Sequence, residues 1–184
     1  MGIYGRLLHS HPLLTKSITT GAIFGGGDVL AQSISKDPED DISLSRVATT
    51  AAYGAGFQGP FLHFWFGRLE KIWPGASVQT IAKKIVSQAL VYAPLNVSLY
   101  SAWAGYHNTA DDKNDDAVEL AIQNAMAKAP SIWMDGNYFW IPLNVMIFSI
   151  VPLPFRPVAV NGGSVVWTTY MSFRANESLE AALL

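Results

Sequence analysis

The sequence predicts an all-α protein: a polytopic transmembrane helical bundle of about four spans, with a fifth apolar helix left open and a short amphipathic surface helix. Composition is the first reason: charged residues make up 14% of the 184 positions and hydrophobic residues 50%, whereas soluble domains carry about 25% charged residues. The second reason is the uneven spacing of the charges. The third is a belt of aromatic residues near the ends of the proposed spans.

Long stretches without a formal charge divide the chain. Residues 47–67, 85–110 and 136–155 contain no Asp, Glu, Lys or Arg, and residues 17–35 contain only Asp28. Because a membrane span of about 20 residues tolerates few charges, these stretches predict spans. Within one integral membrane domain covering residues 1–184, the proposed spans are about 17–35, 46–66, 85–107 and 136–153, with a further apolar helix at about 158–174.

The segments between the spans have the composition of connectors. Residues 36–46 and 111–119 are acidic, whereas residues 67–84 are basic and rich in turn formers. The basic residues of the N-terminus and of 67–84 predict that both lie on the side of synthesis. Residues 117–130 predict the amphipathic surface helix, ending near Pro130, and the sequence shows no long-period repeat.

Several function classes are disfavoured. The net charge of −2 gives no basic field for nucleic acid, and a chain without cysteine has no thiol chemistry. Gly54, Gly56 and Gly59 match a dinucleotide fingerprint, but Pro60 stands where its helix should open. With no metal-binding or nucleophile motif, we predict no catalytic residues, no metal, no cofactor and no enzyme; an enzyme would need Asp28 and His63 to meet across two spans.

The glycines have another explanation as packing residues. On a helix, positions i, i+4, i+7 and i+11 share one narrow face, and small residues there allow two backbones to approach. We therefore predict that Gly21, Gly25, Gly56 and Gly59 are helix-packing residues. The two stripes are Gly21, Gly25, Asp28 and Gln32 in the first span, and Ala52, Gly56, Gly59 and His63 in the second.

Polar residues within or at the ends of the spans are candidates for lining a solute path. A carboxylate inside a span costs about 2.5–3.5 kcal/mol and should face protein or water. The alternatives are structural: hydrogen bonds between helices for most of these residues, and snorkelling to the interface for an arginine at a span end. The pore-lining candidates are Asp28, Gln32, His63, Gln88, Asn96 and Arg156.

Three blocks of sequence resemble a known family. They are HPLLTKSITTGAIFGGGDVLAQ (11–32), GPFLHFWFGRL (59–69) and VPLPFRPVAVNGGSVVWTTYMS (151–172). In order and spacing they are similar to the signature blocks of the twenty-two-kilodalton peroxisomal membrane protein family (the Mpv17/PMP22 family). The resemblance implies a four-span protein of peroxisomes or mitochondria, channel-like permeation as proposed for some members, and no catalytic residues. Ser87 stands where the family usually has Asp.

Two functional hypotheses follow. The first is a channel-like protein that passes small polar solutes or metabolites across an organelle membrane, and the second is a non-conducting membrane organiser that binds partner proteins. The expected partners are the lipid bilayer and small polar solutes, with a homo-oligomer left open and no nucleic acid. Because Gly59, Pro60 and His63 resemble the peroxisomal branch, we predict the peroxisomal membrane, with the mitochondrial inner membrane as the alternative.

Overall fold

The computed structural model describes residues 2–35, 41–108 and 115–167. Every regular element in these residues is helical, which confirms the all-α prediction. None of the described helices combines the length and the apolarity that a membrane span requires. The elements are α1 (Ile3–Ser10), α2 (Pro12–Ser35), α3 (Leu44–Tyr53), a first π-helical turn (Gly54–Gln58), α4 (Gly59–Ile72), α5 (Val78–Ser87), a second π-helical turn (Gln88–Tyr92), α6 (Ala93–Asn108), α7 (Asp115–Ile150), a 3₁₀ turn (Leu153–Phe155) and α8 (156–167).

The chain forms two compact units. The first comprises Met1–Gly67 and Leu153–Leu184, and the second comprises Arg68–Pro152. The further apolar helix predicted at about 158–174 begins within α8, and its part from residue 168 onward lies outside the described residues. Part of each acidic connector, residues 36–40 and 111–114, also lies outside them.

In the first unit, α2 packs against α3, the first π turn and α4 through very close backbone contacts. A Cβ added to Gly21 would lie 2.8 Å from Ala55 Cβ, and one added to Gly59 would lie 2.7 Å from Ser17 Cα. The contact partners run in opposite directions along the two sequences, so the helices are antiparallel. Only residues without a side chain allow this approach, because real Cβ atoms do not come so near to a neighbouring backbone.

The second predicted span departs from its predicted stripe in the first half. Ala52 and Gly56 are exposed, and a Cβ at Gly56 would meet no described heavy atom within 4 Å. Tyr53, Gly54 and Gln58 are buried instead. The π turn explains the difference, because its i→i+5 hydrogen bonds add about one residue to the turn and rotate the buried face by roughly 100°.

The two π turns occupy equivalent places in a local repeat. A serine N-cap, Ser43 or Ser77, begins a helix of 10 residues, and a π turn of 5 residues follows. The next helix then carries a proline, Pro60 or Pro94, at its second position. Ser77 follows Ser43 and Pro94 follows Pro60 at the same separation of 34 residues. The expectation of no long-period repeat is therefore wrong for local structure, although the side chains of the two copies differ.

Each proline gives a reason for the π turn that precedes it. Proline has no N–H to donate, and its ring clashes with the carbonyl four residues earlier in an α-helix. A wider turn before the ring relieves that clash without ending the helix. The helical conformation therefore continues from residue 44 to residue 72 and again from residue 78 to residue 108.

In the second unit, α7 packs along α6 and α5. The indole Nε1 of Trp133 donates a hydrogen bond to the carbonyl of Ala89 at 2.7 Å. The predicted surface helix at 117–130 does not end near Pro130, because α7 continues through Pro130 and Pro142 to Ile150. A proline inside a helix removes one backbone hydrogen bond and can kink the helix. The loss of one hydrogen bond does not end a helix of 36 residues.

Two matched substitutions test the register that the first π turn imposes. Gly59→Ala should lower the stability of the purified protein by about 1–3 kcal/mol, because the added Cβ meets the α2 backbone. Gly56→Ala should instead preserve or raise stability by up to about 1 kcal/mol, because alanine favours an exposed helical position. Thermal unfolding of the two variants beside the wild type measures the difference. Equal stability of both variants would contradict the described helix contact.

Candidate functional site

Asp28 lies on α2 at one end of the contact between α2 and α3, and it is buried and paired. Its Oδ1 accepts a hydrogen bond from Arg46 Nε at 2.9 Å and also lies 2.9 Å from the terminal Nη2 of that guanidinium. Arg46 stands in the first turn of α3 and is 45% exposed, whereas Asp28 is 6% exposed. The carboxylate therefore has its counter-charge within the same unit.

Gln32 completes this end of the contact. Its Nε2 donates to Asp28 Oδ2 at 2.7 Å, and its Oε1 accepts from the backbone N–H of Ser43 at 2.8 Å. Nε2 also lies 3.3 Å from the Ser43 carbonyl. The amide thus satisfies both backbone groups of the residue that caps α3, so Asp28, Gln32, Ser43 and Arg46 form one closed hydrogen-bonded group, which we call the acidic cluster.

The other end of the same helix contact carries a buried basic side chain. Lys16, in the second turn of α2, is only 6% exposed, and its Nζ lies 3.0 Å from Nδ1 of His63 on α4. Gly59 stands one turn before His63, and its close approach to Ser17 brings the two side chains together. Lys16 and His63 are called the basic pair below.

A buried hydrogen bond lies one turn further along α2. Thr20, four residues after Lys16, is fully buried, and its Oγ1 lies 2.6 Å from the amide Nδ2 of Asn161 on α8. Asn161 is also fully buried, and its Oδ1 has no hydrogen-bond partner among the described residues. Arg156, at the start of α8, is 6% exposed.

Asp28 and His63 do not meet. Asp28 contacts Arg46, His63 contacts Lys16, and the two sites are separated by 12 residues of α2, which is about 18 Å of helix. The arrangement that an enzyme would need between these two residues is therefore not formed.

The second unit contains a buried lysine that sequence reasoning treated as part of a basic connector. Lys84 is completely buried and donates to Glu70 Oε2 and to the Gly75 carbonyl, both at 2.8 Å. Glu70 Oε1 in turn accepts from the N–H of Gly75 at 2.9 Å. Gly75 has φ of +84°, a conformation that glycine adopts readily, so this ion pair fixes the turn between α4 and α5.

The remaining candidates of the second unit lie along α5, the second π turn and α6. Gln88 is buried at 4% exposure, and Asn96 is half-buried with an Oδ1 that has no partner among the described residues. Asn144 on α7 is also buried; its Nδ2 donates to the Trp140 carbonyl, and its Oδ1 has no described partner. Each of these amides retains hydrogen-bonding capacity inside the unit.

The chain is similar in sequence to several known proteins. The family model described as Mpv17 / PMP22 family matches residues 114–172. PXMP2/4 family protein 2 of Dictyostelium discoideum is 29% identical over 93% of this chain and 88% of its own. The peroxisomal membrane protein PMP22 of Arabidopsis thaliana is 29% identical, covering 91% and 85%. The chain is therefore similar to proteins of the Mpv17/PMP22 family over most of its length.

Other similar relatives carry a different organelle in their names. The mitochondrial inner membrane protein Mpv17 of Rattus norvegicus is 26% identical over 95% of this chain and 96% of its own. The chain is thus similar both to a peroxisomal membrane protein and to a mitochondrial inner membrane protein. No solved structure matches the chain.

Sequence reasoning missed several buried polar residues of this protein. Lys16 and Lys84 each come directly before a stretch with few or no charges, so the sequence predicts Lys16 in the N-terminal segment and Lys84 in the basic connector. Thr20 and Gln58 carry no charge and stand among apolar or small neighbours. Lys16 and Thr20 are four residues apart and share a face of α2, but they lie five residues and one residue before Gly21, so the predicted stripe does not include them.

The ion pair of the second unit makes a sharp test. Glu70→Gln should destabilise the protein by about 2 kcal/mol, which is less than the roughly 3–5 kcal/mol of a fully buried pair because Glu70 is 26% exposed. Adding Lys84→Met should restore part of that loss, because it removes the uncompensated ammonium. Lys83→Met, at the adjacent exposed lysine, is the control and should restore nothing. Denaturation of the four proteins gives the comparison, and equal restoration by both lysine substitutions would argue against the pair.

Proposed function

We propose that this protein is a multi-pass protein of an organelle membrane and that small polar solutes pass between its helices. One observation carries the proposal: the described helices bury polar and charged side chains beside their apolar core and expose many large apolar side chains. Buried polar residues include Gln32, Lys84 and Asn161, and exposed apolar residues include Leu90, Tyr138 and Ile150. A soluble protein that exposes extended apolar surface is prone to association, but a bilayer is the solvent that such a surface fits.

Helices α6 and α7 show the exposed apolar side chains most clearly. On the second π turn and α6, Leu90 is 61% and Val91 54% exposed, while Gln88 beside them is buried. On α7, Met146 is 57% and Ile150 73% exposed, while Asn144 is buried. No formal charge interrupts residues 85–110 or 136–155. The exposed surface in these stretches therefore supports contact with lipid.

Helix length supports the same proposal. The continuous helical runs 44–72 and 78–108 each extend for more than about 40 Å at 1.5 Å per residue, and a bilayer has a hydrocarbon core of about 30 Å. The charged residues of the first run lie toward its ends, since residues 47–67 carry none.

The buried polar residues of the first unit support a solute path. The acidic cluster, the Thr20–Asn161 hydrogen bond and the basic pair follow one another along α2, and buried polar groups inside membrane helices mark ion and solute pathways. We assign no catalytic role to any of these residues. For location we propose the peroxisomal membrane, and colocalisation of a tagged protein with a mitochondrial marker alone would move it to the inner mitochondrial membrane.

A non-conducting organiser is the second candidate, and a specific observation favours it. Asp28 is already neutralised by Arg46, and Lys84 by Glu70, so neither charge is left for a permeating solute. Such pairing is what a purely structural polar interior would show.

Liposomes that contain the purified protein test the proposal. We expect release of a small polar dye and single-channel conductance, neither of which empty liposomes show. Asp28→Asn should alter ion preference with little loss of folded protein, because it keeps the shape and most hydrogen bonds of Asp28 while removing its charge. Asp41→Asn makes the same charge change in the exposed connector and should leave ion preference as it is. Absence of flux through correctly inserted protein would favour the organiser.

A further inference from the structure

The buried charges at the two ends of the contact between α2 and the helical run 44–72 differ in whether they have a counter-charge. At one end the buried carboxylate of Asp28 is compensated by the guanidinium of Arg46. At the other end Lys16 is buried to the same extent, but no carboxylate among the described residues pairs with it, and its hydrogen bond goes to an imidazole. A buried ammonium without a counter-charge is costly, by several kcal/mol.

The hydrogen bond within the basic pair fixes what the pair can offer. A lysine ammonium has three donors and no acceptor, so Nδ1 of His63 must accept, and the proton of the neutral ring then stands on Nε2. The pair therefore presents two remaining ammonium N–H groups, one ring N–H and one positive charge. Because His63 is only half-buried, its ring is open to approach.

We propose that the basic pair of Lys16 and His63 binds a small oxyanion that supplies the missing counter-charge. A phosphate or carboxylate group accepts charge-assisted hydrogen bonds from the donors that the pair presents. This inference deepens the proposed function by assigning the class of solute, anionic and small, that occupies one end of the path.

The next turn of α2 adds a preference within that class. Thr20 lies on the same face as Lys16, and side chains four residues apart on a helix are neighbours. The amide that Thr20 contacts, Asn161, keeps a fully buried Oδ1 without a described partner. Because this Oδ1 is a hydrogen-bond acceptor one turn from Lys16, it favours an oxyanion that also carries a hydroxyl group, as hydrogen phosphate does.

Inorganic phosphate is the probe that tests the site. Purified full-length protein in a neutral detergent should unfold at a higher temperature in phosphate than in chloride of equal ionic strength. Lys16→Met should abolish this shift and weaken phosphate binding at least about tenfold, whereas Lys16→Arg should keep much of it. Lys16→Met should also raise the unfolding temperature without phosphate, because it removes an uncompensated buried charge.

Lys84→Met is the matched control, since it makes the same substitution at the buried lysine that has a carboxylate partner. It should lower the unfolding temperature and leave the phosphate shift intact. A wild-type protein that does not respond to phosphate or to anionic lipid, or a response that survives Lys16→Met, would overturn the inference. So would destabilisation by Lys16→Met of the same size as by Lys84→Met, which would make Lys16 a structural residue.

A second arm separates a free solute from a lipid headgroup, because both carry phosphate oxygens. Vesicles of phosphatidylcholine are compared with vesicles that also contain phosphatidylglycerol. Stabilisation by phosphatidylglycerol that needs Lys16 and is not displaced by free phosphate assigns the site to a headgroup. Phosphate binding in detergent does not depend on conductance. Phosphate binding without flux would therefore reject the channel and support the anion site. Flux without phosphate binding would support the channel and reject the anion site.

Discussion

The close approach of α2 to the helical run 44–72 is the contact on which the rest of the first unit depends. At Gly59 the two backbones come so near that even a methyl group would lie 2.7 Å from Ser17 Cα. This approach sets the antiparallel register of the pair. The register in turn places Arg46 beside Asp28 and His63 beside Lys16. The polar interior of the unit is therefore a consequence of small residues at a helix interface.

Much of the helical layout could be predicted from the sequence, because each stretch with few or no charges lies largely within a long helical run. Which side chains face inward after Tyr53 could not be predicted, because the π turn adds a residue and shifts the helical periodicity. Pro60 and Pro94 were the visible sign of such turns, but a proline is equally compatible with a kink or a helix end. The repeat of cap, helix, π turn and proline was hidden for the same reason.

The charged residues show where sequence reasoning about sites reaches its limit. Asp28 stood out because it is isolated in an apolar stretch, whereas Lys84 stands next to Lys83 and has the context of a solvated connector. The fold buries Lys84 and pairs it with Glu70, so it no longer counts as a free positive charge in the argument about orientation. Glu70 and Lys84 are 14 residues apart and meet only because the chain turns between α4 and α5. Such a pair leaves no periodic pattern in the sequence.

The central claim is that the described helices turn apolar surface toward lipid and polar side chains inward. Because the chain contains no cysteine, a spin label can be attached at a single introduced cysteine without background. Power-saturation measurements on Val145→Cys on α7, in protein reconstituted into liposomes, report whether oxygen or a water-soluble nickel complex reaches the label. The account predicts high accessibility to oxygen and low accessibility to the nickel complex. High accessibility to the nickel complex in folded, reconstituted protein would contradict it.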